Sequence, residues 1–141
     1  MTKRKPRGPA GKLDRSGLSA RARKVLEDDV QARVAEAWSR GRALILNANK
    51  PGYSEAFTIE AEQYTLLRAT ILEAVERLGD SNGEVFLKDV LPFVQKRLGT
   101  HPRFPKGRMT NYTRYTKTDL EARGELERIP KRSPQRIRRP R

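Results

Sequence analysis

The sequence predicts an α+β fold that is mainly helical. Four stretches place their apolar residues at helical spacing, whereas the short apolar runs between them are bounded by turn residues, as strands are. The 141 residues suffice for about one domain. No run approaches the ~18 consecutive apolar residues that span a bilayer, and residues 1–12 lack the apolar stretch of a secretory signal. We therefore expect a soluble, cytoplasmic protein with no membrane partner.

Charge is the strongest signal in the composition. The chain has 31 Lys and Arg residues against 17 Asp and Glu residues, which gives a formal net charge of +14. Residues 1–25 contribute +8, residues 128–141 contribute +7, and residues 90–118 contain seven bases and no acid. Such a surface repels itself unless a polyanion neutralises it. Nucleic acid is therefore the expected partner.

The residue types present exclude several classes of site. The chain has no cysteine and one histidine, which excludes disulfides, thiolate metal sites and any site built from two histidines. His101 lies in a predicted loop without a catalytic partner, and phosphate-binding loops of the GxxxxGKS/T or GxGxxG type are absent. We expect no enzyme, no cofactor and no metal.

The first 41 residues divide into an arm and a helix. Residues 1–17 are rich in Lys, Arg, Pro and Gly with a single Leu, so they predict a disordered basic arm. Residues 18–41 place Val30, Val34 and Trp38 on one helical stripe, which predicts an amphipathic helix. Such a stripe packs on the rest of the chain, on a second copy or on another protein. We favour a homodimer through residues 18–40.

Residues 42–139 are predicted to form the domain itself. Its first run, residues 43–46, fits either a strand or a helix, and the Pro51–Gly52 pair then marks a turn. Residues 56–59 alternate like a short strand. A helix follows from Tyr64 to Leu78, with its apolar residues on one face.

Three further elements follow that helix. Residues 84–86 fit a very short strand, and Asp89 is a suitable N-cap for the next helix, which places Pro92 in the first helical turn. A third helix is predicted over residues about 108–123, with Gly124 as its stop. Its predicted inward residues are Met109, Tyr112, Thr116 and Leu120.

The C-terminal residues predict a β-hairpin. Residues 126–129 and 135–138 are the two strands, with Leu126 and Ile137 pointing inward. From residue 61 onward the order is therefore helix, strand, helix, loop, helix and hairpin. This is the order of a winged helix-turn-helix, in which the third helix enters the major groove and the hairpin, residues about 125–139, forms the wing.

A resemblance to known proteins supports the same fold. Residues 116–128 look like the junction between recognition helix and wing in bacterial winged-helix proteins. Together with the segment 47–52, the Tyr64 helix and residues 133–137, they resemble an uncharacterised family of bacterial winged-helix domains over residues about 44–139. The resemblance implies the fold and carries no activity.

The third helix has residue types that read base edges. Asn111 suits an adenine edge, Arg114 a guanine edge, and Thr118 either. The remaining candidates, which suit phosphates, are Arg108, Tyr115 and Lys117. The alternative is an ordinary amphipathic helix with a polar outer face, since winged helices also bind proteins.

The predicted wing is basic from its tip to the end of its second strand. Arginines at a hairpin tip enter a minor groove or follow phosphates, whereas a basic chain end can also contact nothing specific. The wing candidates for DNA contact are Lys131, Arg132, Arg136, Arg138 and Arg139.

The sequence thus predicts a double-stranded DNA-binding protein, either a transcriptional regulator or a nucleoid-associated protein. The alternatives are a winged-helix module that binds protein and an RNA-binding protein. Aromatic residues on apolar stripes or short strands, among them Phe57, are expected in the core. For Trp38 the pattern is least decisive.

Overall fold

The computed structural model describes residues 20–47, 57–130 and 133–140, and the side chains of the first helix from Asp28 onward. The predicted basic arm, the Pro51–Gly52 turn and two wing residues, Lys131 and Arg132, lie outside the described residues.

The described residues form four helices and two small antiparallel sheets, which confirms the α+β prediction. One sheet pairs β1 with β2, and the other has the strand order β3-β5-β4. The elements in chain order are α1 (Ala20–Ser39), β1 (Arg42–Leu44), β2 (Thr58–Glu60), α2 (Ala61–Leu78), β3 (Val85–Phe86), α3 (Leu87–Leu98), α4 (Thr110–Ala122), β4 (Glu127–Arg128) and β5 (Arg136–Arg138).

The main core lies where α2, α3 and α4 meet the three-stranded sheet. Its helical members repeat at the spacing that the sequence predicts, because residues three and four apart share a helix face. Both residues predicted to point inward from the hairpin are fully buried. Residues with no exposed surface in this core include Leu67, Ile71, Ala74, Val90, Val94, Leu120, Leu126 and Ile137.

The structure resolves one alternative that the sequence leaves open and changes two local predictions. Residues 42–44 are a strand, since Arg42 to Leu44 pair with Glu60 to Thr58 of β2. The chain passes directly from β3 into α3, so α3 begins at Leu87 and Asp89 lies in its first turn instead of capping it. Pro92 is consequently inside the helix, beyond the first turn where its missing N–H would cost nothing.

Helix α1 packs against the first strand and the residues that follow it. Val30 and Ala37 are buried together with Leu44 and Leu46 in a second, smaller apolar cluster. Trp38 remains 51% exposed and meets the ring of Tyr64 edge-on at 6.4 Å between centroids. None of the helices in residues 20–47, 57–130 and 133–140 is long and apolar enough to cross a membrane.

One carboxylate fixes α4 to the N-terminal part of the domain. Asp119 is fully buried and accepts hydrogen bonds from the backbone N–H of Leu46 at 2.9 Å, the Tyr64 hydroxyl at 2.6 Å and the Arg123 guanidinium at 2.7 Å. Arg123 also donates to the carbonyl oxygen of Leu44 at 3.1 Å. Burial, together with the charge of Asp119, raises the pKa of Tyr64, so this hydroxyl stays a donor.

We predict that Tyr64→Phe lowers the free energy of unfolding by about 1–3 kcal/mol, because the buried carboxylate of Asp119 loses one charged hydrogen bond. Urea denaturation measures the change. Tyr112→Phe is the control, since the hydroxyl of Tyr112 makes no hydrogen bond among the described residues, and it should change stability by less than about 0.5 kcal/mol. Equal effects of the two substitutions would contradict the role given to Tyr64.

Candidate nucleic-acid interface

The outward face of α4 is free of negative charge. Asn111, Arg114 and Tyr115 are exposed, and Thr118 is half-buried. Arg108, just before the helix, is also exposed. The two acidic residues of α4, Asp119 and Glu121, are both fully buried. The helix therefore presents only cationic and neutral groups to solvent, as a surface for a polyanion requires.

Lys117 does not belong to that face, which corrects the sequence prediction. Its side chain is 5% exposed, and its Nζ lies 3.1 Å from Oε1 of Glu121 and 2.7 Å from Oε1 of Gln135. An ammonium held in this way cannot reach a phosphate outside the protein. The sequence prediction fails because lysine is assigned to solvent unless a buried partner is known. Here the buried partner is Glu121, one helical turn after Lys117.

Lys117 pairs with Glu121 within α4 and also donates a hydrogen bond to Gln135, the residue before β5. Burial raises the pKa of Glu121 and lowers the pKa of Lys117, although each charge opposes the effect on the other. Oε2 of Glu121 is buried and has no hydrogen-bond partner in the described part of the chain. The backbone oxygen of Gln135 accepts a hydrogen bond from the N–H of Leu87 at 2.9 Å. Gln135 thus contacts both α3 and α4.

Two wing arginines form ion pairs within the three-stranded sheet. Arg136 lies 3.3 Å from Glu84 and places its guanidinium 4.6 Å from the centre of the Phe86 ring. Arg138 lies 3.1 Å from Glu127, its neighbour on β4, and 3.7 Å from Glu84. Both side chains keep about a quarter of their surface exposed. Their charges are therefore largely balanced by carboxylates of adjacent strands, whereas the sequence reading assigned them to phosphates.

Arg139 differs from its two neighbours. It is exposed, and it forms no ion pair with any residue that the structure describes. It is therefore the wing candidate best placed, among the described residues, to contact an external anion.

A cavity of about 510 Å³ opens beside the start of α4. Buried Phe104 and Met109 form part of its wall, whereas Lys106, Arg108 and Asn111 supply polar and cationic groups. The cavity lies between the loop before α4 and the exposed face of that helix.

An aromatic pair borders the exposed face of α4. Phe57, which directly precedes β2, meets Tyr115 at 4.9 Å between ring centroids, with the two planes at 69°. Phe57 is 37% exposed and Tyr115 is 41% exposed. The prediction that Phe57 lies in the core is therefore wrong. Alternation puts Phe57 on the same side of the strand as buried Ile59, and its backbone oxygen still accepts a hydrogen bond from the N–H of Ile45, but at this end of the strand its ring lies against exposed Tyr115 and not in the core.

A family model described as a family of unknown function, DUF6958, matches residues 42–137. The chain belongs to this family. The DUF6958 region begins at β1 and ends within β5, so it contains every element described above except α1. It agrees with the resemblance to an uncharacterised family over residues about 44–139. No curated protein and no solved structure matches the chain.

We predict that Lys117→Met lowers the free energy of unfolding by about 3–5 kcal/mol, because it leaves the carboxylate of Glu121 buried without its cation. The double variant Lys117→Met, Glu121→Leu removes both charges and should recover much of the loss. Denaturant titration of the single and double variants measures the coupling. If the loss in the double variant equals the sum of the losses in Lys117→Met and in Glu121→Leu, the pair is not coupled.

The stability loss of Lys117→Met should depend on pH. Burial raises the pKa of Glu121 above its ordinary 4.5 in the folded protein, so the folded state binds this proton more tightly than the unfolded state does. The loss is then fully present above the folded pKa and shrinks as the pH falls toward 4.5. Unfolding curves at several pH values test this, with Lys117→Met, Glu121→Leu as the pH-insensitive reference.

Proposed function

We propose that this chain binds double-stranded DNA as a winged helix-turn-helix protein. The observation that carries the proposal is the outward face of α4, which presents Arg108, Asn111, Arg114 and Tyr115 while both carboxylates of the helix are buried. Arginine and asparagine side chains on an exposed helix are the groups that read guanine and adenine edges in the major groove.

The topology supports this proposal. After β2, the chain runs through α2, β3, α3, α4, β4 and β5, and the sheet has the order β3-β5-β4. This succession agrees with a helix-turn-helix whose last helix is followed by a hairpin wing. Under the proposal, residues about 108–123 form the recognition helix and residues about 125–139 form the wing.

The contacts divide between bases and backbone. Asn111, Arg114 and Thr118 face the bases, whereas Arg108 and Arg139 bind phosphates and fix the protein on the duplex. Arg136 and Arg138 hold the sheet together, so they contribute to DNA binding mainly by supporting the wing. Basic residues outside the described part, Lys131 and Arg132 included, add attraction that does not depend on sequence.

The proposed role is that of a bacterial regulator or nucleoid-associated protein in the cytoplasm. It involves no catalysis and no cofactor. A protein-binding module and an RNA-binding protein are the competing readings, and the experiments below separate them from the proposal.

We predict that duplex binding has a steep salt dependence, with a log–log slope of about −4.5 to −7 if ~5 to 8 phosphates are engaged. Fluorescence anisotropy across a salt series on duplex DNA and on single-stranded RNA measures it. A slope near zero, or no duplex binding at low salt, would contradict the proposal. Tighter binding to the RNA would favour the RNA-binding alternative.

We predict that Arg114→Ala weakens binding to a duplex selected from a random pool by about 1–3 kcal/mol, and weakens binding to scrambled duplex less. The reason is that Arg114 is exposed on α4, where it can reach a base edge. Arg77→Ala is the matched control, since Arg77 is an exposed arginine in the last turn of α2 that pairs with Glu73. It should leave sequence discrimination unchanged.

One result would move the function to another part of the chain. If Arg114→Ala binds every duplex as the unsubstituted protein does, while removal of residues 1–25 abolishes binding, the N-terminal arm carries the interaction. That outcome would favour the protein-binding reading for α4.

A homodimer through residues 18–40 is a further part of the proposal. Val30 and Ala37 are covered by Leu44 and Leu46 of the same chain, so the support comes from Trp38, which is half-exposed. Tryptophan is enriched at protein–protein interfaces relative to the rest of the surface. We predict twice the chain mass in light scattering, and a shift toward the monomer in Trp38→Ala. A monomer mass that persists at high concentration would exclude the dimer.

A further inference from the structure

Phe57 and Tyr115 form an exposed apolar surface of defined shape. Four large hydrophobic side chains are exposed in the described part of the chain, and these two meet each other edge to face at 4.9 Å. Edge-to-face contact is a preferred arrangement of aromatic rings, so each ring restricts the rotation of the other. The two rings therefore present one continuous apolar surface to solvent.

The pair lies beside the residues proposed to contact bases. Tyr115 lies four residues after Asn111, which makes these two side chains neighbours on the helix surface, and it directly follows the exposed Arg114 in the chain. Phe57 comes from the start of β2, so the β1–β2 hairpin borders α4 at this point. The β1–β2 hairpin, which precedes α2, α3 and α4 in the chain, thus extends the exposed face of α4.

We infer that Phe57 and Tyr115 contact thymine methyl groups in the major groove, an inference that rests on the proposed function. The C5-methyl of thymine is an apolar feature of the groove that a side chain can recognise. The charges around the rings favour DNA over an apolar protein partner, because Arg108 and Arg114 are exposed nearby and both α4 carboxylates are buried. The aromatic pair is thereby a determinant of sequence preference.

The test uses two short duplexes of one sequence in which every base pair is A·T. One contains thymidine and the other contains deoxyuridine throughout, so the C5-methyl is the only chemical difference and the register of binding does not matter. The unsubstituted protein should bind the thymidine duplex about fourfold more tightly for each methyl group buried. Phe57→Ala and Tyr115→Ala should bring the ratio of the two affinities close to one.

Two substitutions serve as controls. Leu78→Ala removes an exposed apolar side chain at the end of α2 and should keep the ratio. Tyr115→Phe keeps the ring and loses the hydroxyl, so it should also keep the ratio. A third variant, Phe57→Leu, retains an apolar side chain and should keep part of the preference. Thermal unfolding followed by circular dichroism confirms that each variant is folded.

The possible failures are distinct. If neither duplex is bound at low salt, the proposed function fails. If both are bound equally by the unsubstituted protein, the function stands and the methyl contact is excluded. A preference for thymidine that survives in both Phe57→Ala and Tyr115→Ala would place methyl recognition elsewhere and would also overturn the inference.

Discussion

The position of α4 depends on the buried carboxylate of Asp119. A carboxylate with no exposed surface is very costly unless charged or polar donors surround it. Its donors come from the residues after β1, from α2 and from α4 itself, so these three parts must be in place together. The DUF6958 region begins at residue 42, so it includes the residues after β1 that supply one of these donors. The strand and its continuation supply a partner that the three helices alone lack.

The structure redistributes the charge that the sequence shows. Acidic residues of α4 are turned inward, where Asp119 and Glu121 pair with Arg123 and Lys117, and the opposite face keeps its cations. In the wing the opposite occurs, since arginines that appear free in the sequence are matched by carboxylates across the sheet. Ion pairing leaves the formal charge of +14 unchanged, because that sum already counts the carboxylates, but it determines which surfaces carry the excess positive charge. The positive charge available to a polyanion is concentrated on the outward face of α4 and in the sequence at the two chain ends.

The sequence predicts the helices and the hairpin well because their apolar residues repeat at the period of the element. That signal locates α2, the buried residues of α3 and the inward pair Leu126 and Ile137. It fails at Pro92, because the entry into α3 is set by the strand before it and not by a capping side chain. The start of this helix is therefore set by tertiary contacts.

Contacts between distant segments explain the errors at the candidate site. Lys117 is buried because its ammonium donates hydrogen bonds to Glu121 and Gln135. No pattern in residues about 108–123 shows that Gln135 lies close to this helix. Phe57 is exposed because the β1–β2 pair places it against Tyr115 and not under a helix. Long-range pairing of this kind leaves no periodic trace in a single sequence.

Gln135 has a consequence for the kind of DNA that could be bound. Its side-chain oxygen accepts a hydrogen bond from Lys117 of α4, and its backbone oxygen accepts one from the N–H of Leu87 at the start of α3. The second strand of the wing is therefore attached to both helices. Under the proposed function, the span between the wing and α4 is then constant. A duplex whose groove width does not match that span would meet one element and miss the other. The protein would therefore select its sites by the local width and stiffness of the double helix as well as by base identity.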